Sequence, residues 1–336
     1  MRVGVDGRSM RAGRAPRGVA SYLRCLLDEL ASIPDDDYEL IRYGGRVSYA
    51  AGALTGRPRL DRLVRGCDVF WAPAPAPIAL SRAVPLVLTV HDLSFEHRPR
   101  DYTFYERLWH RLARPRELAR RAARVIAVSD SVREQLLDEW GLAAETVVTV
   151  LSGPGRPVKA TGTPPAGLPS RYLLAVGAFE PRKGVELLLE AHARARRDGL
   201  AAELVFAGTG PLETAPGVTA LGYVTDEQLD ALYADALALV SASREEGFGF
   251  PPLEALARGT PAVVPDLAPF RETLGDAALR FPAGDAEGLT AALLRLEREP
   301  ELRARLVAAG SGALGRLSWA RAARETRAVL AEAAGT

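Results

Sequence analysis

Residues 246–260 read EGFGFPPLEALARGT, a loop that opens into a short helix. Proline is tolerated in a first helical turn because its missing N–H would be unpaired there anyway, so Pro251–Pro252 predicts a helix start. Gly259 predicts the end of this helix. The loop would present backbone N–H groups at a helix N-terminus, where anions are favoured. Glu246 and Glu254 are suited to sugar hydroxyls, so the stretch indicates a nucleotide sugar, which combines an anion with a polyhydroxylated group.

The composition indicates a globular protein with room for two domains. The chain has 336 residues, of which 48% are hydrophobic and 25% charged, and its net charge is +1. This charge gives no field for nucleic acid, so no nucleic-acid partner is expected. Cys25 and Cys67 lack metal-ligand spacing. The first residues, MRVGVD, predict a strand and not a signal peptide, and no run of about 18 apolar residues is recognisable. We therefore expect a cytoplasmic protein with at most weak peripheral contact at the inner membrane face.

Short apolar runs alternate with helical patterns along the chain, which predicts parallel sheets in an α/β fold. The predicted strands are Val3–Val5, Glu39–Tyr43, Val69–Ala72, Leu86–Val90, Val125–Val128, Val147–Val150, Tyr172–Val176, Glu203–Ala207, Ala236–Val240 and Pro261–Val264. The predicted helices are Val19–Ala31, Glu117–Ala123, Ser131–Glu139, Val185–Arg197, Thr225–Ala234, Leu253–Arg258 and Trp319–Ala333, with Ser129 as an N-cap.

A stretch rich in proline and glycine, residues 152–169, interrupts this alternation. It predicts a linker between two doubly wound halves. The expected organisation is an N-terminal Rossmann-like domain at 1–155, a linker at 156–169, a C-terminal Rossmann-like domain at 170–317, and a final helix at 318–336. Because ligands bind at the carboxyl ends of parallel strands, we expect the ligand in the cleft between the halves.

The string from Glu246 to Pro261 resembles the Glu-x7-Glu signature of the retaining glycosyltransferases of family 4, which have the GT-B architecture. The resemblance implies two Rossmann-like domains that face each other across a cleft. The N-terminal domain would bind the acceptor, the C-terminal domain would bind the nucleotide sugar, and the last helix would cross back onto the N-terminal domain. It also implies that Glu246 binds donor-sugar hydroxyls and Glu254 the ribose hydroxyls. The amides of Gly247, Phe248 and Gly249 would line the sugar and phosphate.

Residues 176–187, VGAFEPRKGVEL, follow a predicted strand and enter a helix. Cations beside a helix N-terminus are unfavourable without an anion, so Arg182 and Lys183 indicate a bound diphosphate whose charge they would neutralise. The stretch resembles the family's donor-phosphate motif in a Glu-Pro-Arg-Lys variant, with Gly177 in the donor site. Ala178 stands where many members carry an arginine, and the sequence leaves open whether Arg182 replaces it.

His91 falls at the end of a predicted strand, in the stretch PLVLTVHDLSF at residues 85–95. In a doubly wound fold this is the end that faces the ligand. A lone histidine is more often structural than catalytic, but the stretch resembles the family's acceptor-domain histidine motif. The resemblance implies that His91 bonds a donor-sugar hydroxyl or orients the acceptor.

Three glycine-containing turns follow other predicted strands. Gly18 best matches a family loop that closes over donor phosphates and acceptor. Gly208 lies in a turn that resembles the family's glycine-rich turn near the nucleotide. Residues 221–226 also fit the family pattern, which implies that the backbone of Tyr223 and Val224 meets the base. The arginines of the first loop are candidates for phosphate or an anionic acceptor: Arg8, Arg11, Arg14 and Arg17.

No metal or other cofactor is expected. Asp35-Asp36-Asp37 contains an Asp-x-Asp pattern, but it follows Pro34 and predicts a solvated turn. No carboxylate pair suited to a glycosidase nucleophile is recognisable. The resemblance implies front-face transfer, in which the leaving phosphate helps to deprotonate the acceptor.

The Glu-Pro-Arg-Lys and His-Asp-Leu-Ser-Phe variants look most like bacterial mannosyl- and rhamnosyltransferases of polysaccharide assembly. GDP-mannose is therefore the leading donor, and the acceptor is a growing glycan, a lipid-linked sugar or a small molecule. A GT-B epimerase would need acid/base carboxylates in the N-terminal half, which are not identified. The intact motifs argue against a non-catalytic binding protein. The missing Gly-x-Gly-x-x-Gly after the first strand argues against a dehydrogenase.

Overall fold

The structure is a computed structural model that describes residues 1–10, 18–34, 36–41, 51–52, 54–57, 59–64, 66–158, 162–210 and 215–335. The chain forms two compact units. The first comprises Met1–Gly153 with Ser318–Thr336, and the second comprises Pro154–Leu317. The segment expected to be a linker, 156–169, therefore lies within the second unit.

In the described part of the first unit, six strands form one parallel sheet in the order β2-β1-β3-β4-β5-β6. The strands are β1 Arg2–Asp6, β2 Asp37–Ile41, β3 Val69–Ala72, β4 Leu86–Val90, β5 Arg124–Ala127 and β6 Val147–Thr149. The helices are α1 Gly18–Leu30, α2 Ser94–His97, α3 Phe104–Ala113, α4 Pro115–Arg121 and α5 Asp130–Trp140. Every residue of β3 and β4 is buried, as expected for central strands covered on both faces. The predicted N-cap is confirmed, since the Ser129 hydroxyl accepts the Val132 N–H at 3.2 Å.

The second unit contains a second parallel sheet of six described strands, in the order β12-β11-β10-β7-β8-β9. The strands are β7 Tyr172–Val176, β8 Glu203–Ala207, β9 Val218–Gly222, β10 Ala238–Val240, β11 Ala262–Pro265 and β12 Ala278–Phe281. The helices are α6 Val185–Arg197, α7 Asp226–Asp235, α8 Phe250–Leu256, α9 Ala268–Leu274, α10 Ala286–Arg298 and α11 Pro300–Gly315.

Alternate residues of β7 enter different cores, which shows that helices cover both faces of this sheet. Leu173 packs in a cluster with residues of α6 and α10. Leu174 packs in the other cluster, with residues of α7 and α8. The period of two along the strand produces this alternation. The predicted α/β class with doubly wound parallel sheets is confirmed.

The last helix, α12 Trp319–Ala334, packs against α1 in the first unit. Its Arg327 Nε lies 2.5 Å from Asp36 Oδ2, and the Asp36 side chain is only 1% exposed. The N-terminal amine lies 3.2 Å from the other oxygen of the same carboxylate. The expectation of a solvated turn is therefore wrong for Asp36, because two cations compensate its burial; Asp35 lies outside the described residues.

The strand order of the second sheet changes direction at β7, which pairs with β8 on one side and β10 on the other. The loops that follow β7 and β10 consequently meet at the carboxyl edge of the sheet. Gly184 has φ +65°, and a Cβ there would lie 2.0 Å from the carbonyl oxygen of Ala242. Only glycine allows this approach of the two backbones.

Replacing Gly184 with alanine tests this contact, with Gly259→Ala as the matched control. Gly259 also has a positive φ, +76°, but no atom lies within 4 Å of the place that a Cβ would take there. The control should lose about 1 kcal/mol of unfolding free energy from the left-handed backbone alone. Gly184→Ala should lose at least about 2 kcal/mol more, because the methyl group overlaps a carbonyl. Urea unfolding of both variants measures the difference, and equal losses would contradict the contact.

Candidate active site

The loops after β7 and β10 bring a lysine and a glutamate together. Lys183 ends a short 3-10 turn, Pro181–Lys183, and its Nζ lies 2.5 Å from Glu246 Oε1. The same oxygen accepts the hydroxyl of Ser243 at 2.7 Å. Lys183 and Glu246 also line one cavity with Gly177. The side chains are 23% and 13% exposed, so the pair is shielded but reachable from solvent.

Arg182 is paired in the same loop. Its Nε lies 2.9 Å from Glu180 Oε2, and its carbonyl accepts the Arg244 N–H at 2.8 Å. Both cations that precede α6 are thus compensated by carboxylates. This pairing explains how two cations are tolerated beside a helix N-terminus, where the helix dipole alone would disfavour them.

The glycine turns pack backbone against backbone at the same edge. A Cβ at Gly208, φ +155°, would lie 1.7 Å from the carbonyl oxygen of Gly177. The Phe179 N–H donates to Thr209 O at 2.9 Å, which closes the turn. Beyond β9, Tyr223 is 59% exposed, whereas Val224 is partly buried against a core cluster.

The glycine-rich loop before α8 is held by its aromatic residue. Phe248 is buried, and its carbonyl accepts the hydroxyl of Thr273 at 3.2 Å. Gly249 has φ +90° and caps α8, and a Cβ there would lie 2.4 Å from the Phe270 ring. Gly247 lies between Glu246 and Phe248, so its backbone continues from the ion pair into this fixed loop.

Glu254 does not line the cavity of Lys183 and Glu246, but lies in a buried polar network on α8. Its Oε1 accepts the backbone N–H of Arg156 at 2.9 Å, and its Oε2 accepts the hydroxyl of Tyr233 at 3.1 Å. Burial, and next the charge of Glu254, raise the pKa of Tyr233 well above its ordinary value. The tyrosine therefore remains a hydrogen-bond donor at neutral pH.

His91 lies at the carboxyl end of β4 in the first unit. Its Nε2 is 2.8 Å from the carbonyl oxygen of Pro73. A carbonyl only accepts, so Nε2 carries the proton in this contact. Burial lowers the pKa of His91, against the opposing effects of the Pro73 carbonyl and the charge of Asp92. The ring is therefore neutral at pH 7, with Nδ1 as a hydrogen-bond acceptor.

Gly18 is the first residue of α1 in the first unit. Arg8 donates from Nε to Asp6 Oδ1 at 2.7 Å, so its charge is paired at the end of β1. The other three candidate loop arginines, Arg11, Arg14 and Arg17, lie outside the described residues.

Sequence reasoning missed Ser243, Arg156 and Tyr233. Ser243 carried a usable signal, because it follows a predicted strand by only a few residues and precedes Glu246. Arg156 carried none, since it lies in a stretch that is rich in proline and glycine. Tyr233 lies on a predicted helix, where a tyrosine is ordinarily a core residue.

The described residues contain no metal-binding cluster and no membrane-spanning helix. None of those residues form a group of three or more histidine, cysteine or carboxylate side chains placed to hold a metal ion. None of the helices in that part of the chain is long and apolar enough to span a membrane.

Comparisons with known proteins agree with the predicted family. Residues 166–312 match the model for glycosyl transferases group 1, and residues 33–153 match that for glycosyltransferase family 4. The O-antigen chain mannosyltransferase B of Escherichia coli is 29% identical over 74% of this chain and 70% of its own length. The phosphatidyl-myo-inositol mannosyltransferase of Mycobacterium leprae is 34% identical over 58% of this chain and 55% of its own. The alpha-D-kanosaminyltransferase of Streptomyces kanamyceticus is 29% identical over 82% of this chain and 79% of its own length.

Solved structures share the fold. Sucrose-phosphate synthase of Thermosynechococcus elongatus gives a TM-score of 0.74 at 18% identity, covering 98% of both chains. Anabaena HepE, solved with UDP and glucose, gives a TM-score of 0.70 at 17% identity, covering 98% of this chain and 99% of its own. The two parallel sheets and these matches show the GT-B fold. The two family models that match residues 166–312 and 33–153 show a glycosyltransferase. Within that class, the chain belongs with the family 4-like glycosyltransferases.

The neutral state of the His91 ring predicts how the stability of the protein depends on pH. Its folded pKa lies below the ordinary value of 6.5, so the folded protein binds this proton less readily than the unfolded chain does. The contribution of the neutral ring to the unfolding free energy is therefore present above pH 6.5 and is lost as the pH falls below 6.5. His91→Gln should therefore melt with a shallower pH dependence than wild type between pH 7 and 5. Identical slopes for wild type and His91→Gln would contradict the assignment.

Proposed function

We propose that this chain is a retaining glycosyltransferase that moves a hexose from a nucleotide sugar to a hydroxyl acceptor. The observation that carries the proposal is the Lys183–Glu246 pair, held at 2.5 Å where the strand order of the second sheet changes direction. Ligands bind at such points in doubly wound folds. In this proposal the cation of the pair serves the diphosphate and the carboxylate serves sugar hydroxyls.

In this proposal the donor engages the second unit along its loops. Lys183 and Arg182 stabilise the charge that develops on the leaving diphosphate, for which each must exchange its carboxylate partner for phosphate oxygens. Glu246 then accepts hydroxyls of the donor sugar. The amides of Gly247, Phe248 and Gly249 line the sugar and phosphate, the turns at Gly177 and Gly208 border the nucleotide, and the backbone of Tyr223 and Val224 meets the base. Glu254 accepts the ribose hydroxyls.

The chemical step is proposed as front-face displacement. The bond from the anomeric carbon to the phosphate oxygen breaks while the acceptor oxygen bonds the same face of that carbon. The acceptor proton passes to the departing phosphate, so the configuration is retained. In the first unit, Nδ1 of His91 accepts a hydroxyl of the sugar or of the acceptor, and Gly18, the first residue of α1, contacts the donor phosphates. The cationic side chains perform the charge stabilisation that a divalent metal performs elsewhere, and we propose no metal requirement.

GDP-mannose is the first donor candidate, because two of the relatives named above are mannosyltransferases. The UDP and glucose bound to HepE make UDP-glucose the second. The acceptor is a growing glycan, a lipid-linked sugar or a small molecule.

Thermal unfolding in the presence of EDTA tests donor binding without metal. The ligands are GDP, GDP-mannose, UDP and UDP-glucose, each titrated to saturation. A ligand at 100 times its Kd adds about 2.7 kcal/mol to the unfolding free energy, which gives a saturable rise in Tm. We expect this rise with GDP and GDP-mannose. A rise that appears only when Mg²⁺ replaces EDTA would contradict the metal-free site.

Lys183→Ala and Glu246→Ala test the ion pair in transfer. Each should lower kcat/KM by about 10²–10³-fold, the usual effect of removing one preorganised electrostatic contact from a transition state. The pair is partly exposed, so both variants should stay folded. Arg295→Ala is the control, since Arg295 forms an exposed ion pair with Glu299 in the same unit. Near-normal rates in both site variants would show that the donor site lies elsewhere.

A further inference from the structure

The carboxylate of Glu254 is fixed from two sides by residues distant from it in the sequence. The backbone N–H of Arg156, 98 positions earlier, donates to Oε1 at 2.9 Å. The hydroxyl of Tyr233, 21 positions earlier, donates to Oε2 at 3.1 Å. A carboxylate accepts about four hydrogen bonds, so these two leave capacity for hydroxyl groups of a ligand.

The side chain of Arg156 joins Glu254 to α7. Its guanidinium lies 3.4 Å from Glu254, 3.0 Å from Asp226 and 3.3 Å from Asp230, and it is only 8% exposed. Arg258 contacts Asp230 in turn at 2.5 Å. The guanidinium of Arg156 thus ties the carboxylate of Glu254 to two aspartates of α7.

The backbone behind Glu254 leaves no space for a side chain. Gly155 has φ +95°, and a Cβ there would lie 2.3 Å from Glu254 Cγ and 3.0 Å from its Oε1. Any side chain at position 155 would displace the side chain of Glu254. The Gly155–Arg156 turn therefore sets both the position and the rotamer of Glu254.

We propose that Gly155, Arg156 and Tyr233 are positioning residues of the donor site, and that they hold the Glu254 carboxylate ready for the two ribose hydroxyls of a nucleoside diphosphate. The proposal rests on the ribose role of Glu254 in the proposed function. A free glutamate side chain would lose rotamer entropy on binding, and the three residues remove that cost in advance. They contact Glu254 and act through it.

Tyr233→Phe tests the proposal, because it deletes the hydroxyl and keeps the buried ring. Calorimetric titration with GDP and with 2′-deoxy-GDP measures how much binding the 2′-hydroxyl contributes. Wild type should prefer GDP by at least tenfold, and Tyr233→Phe should lose most of this preference through weaker GDP binding. Tyr172→Phe is the matched control, because Tyr172 is also buried and its hydroxyl donates to Leu232 O at 2.9 Å, away from Glu254.

Gly155→Ala supplies a second variant that does not alter hydrogen-bonding groups. Its control is Gly167→Ala, at φ +78° with no atom within 4 Å of the position of a Cβ. Both replacements place alanine in the left-handed region, so both lower stability. Only Gly155→Ala should lower the preference for GDP over 2′-deoxy-GDP.

Glu254→Gln separates failure of this inference from failure of the proposed function. UDP and 2′-deoxy-UDP replace the guanine pair if GDP does not bind. If wild type binds neither pair, binds the ribose and deoxyribose forms equally, or keeps its preference in Glu254→Gln, the ribose role of Glu254 falls and the positioning roles fall with it. If Glu254→Gln abolishes the preference while Tyr233→Phe and Gly155→Ala retain it, the positioning proposal alone is overturned. Loss of the preference in all three, with both controls like wild type, supports it.

Discussion

The second unit is organised around one close approach of two backbones, that of Gly184 to the carbonyl of Ala242. It lies where the loops after β7 and β10 meet, at the point where the strand order of the sheet changes direction. The absence of a Cβ lets these loops touch, and their contact brings Lys183 within 2.5 Å of Glu246 across 63 positions of sequence. Any side chain at Gly184 would separate them. The electrostatics of the site therefore depend on a steric condition of the backbone.

The two glutamates of the motif occupy different electrostatic environments, although one loop and one helical turn separate them. Glu246 forms an ion pair with a partly exposed lysine and accepts the hydroxyl of a serine, so the groups of a ligand can replace these partners. Glu254 is 6% exposed and is held by a backbone amide, a buried tyrosine and a shared arginine. An exchangeable pair suits a group whose charge changes during a reaction, whereas a fixed carboxylate suits recognition of a constant part of the ligand.

In the first unit, the group at the end of β4 is a neutral histidine, His91, instead of a charged side chain. Burial keeps His91 neutral, and the Pro73 carbonyl selects the tautomer, so the ring presents an acceptor nitrogen instead of a positive charge. The same unit is completed by α12, the last helix of the chain. Arg327 of this helix compensates the buried charge of Asp36, and the partners lie 291 positions apart.

The sequence by itself determined the central parts of both sheets and the order of the motifs. Strands β3, β4, β7 and β8 begin and end where the sequence predicts, because they are nearly continuous apolar runs buried on both faces. The edge strands β9 and β12 were not predicted, since each leaves residues at the surface and lacks such a run. Helices α2, α3, α9, α10 and α11 were not predicted either, although Thr103 and Glu106 form a capping box at the start of α3.

Local motif chemistry predicted Lys183, Glu246 and Glu254 as site residues, because each lies in a short string whose residue types act together. Only the tertiary structure decided their partners. The pairing of Glu254 with Arg156 depends on a turn with φ +95° at Gly155, which brings together residues 98 positions apart. Such a contact leaves no periodic or compositional trace in the sequence. It arises from the packing of a turn against α8, and packing is a property of the folded chain.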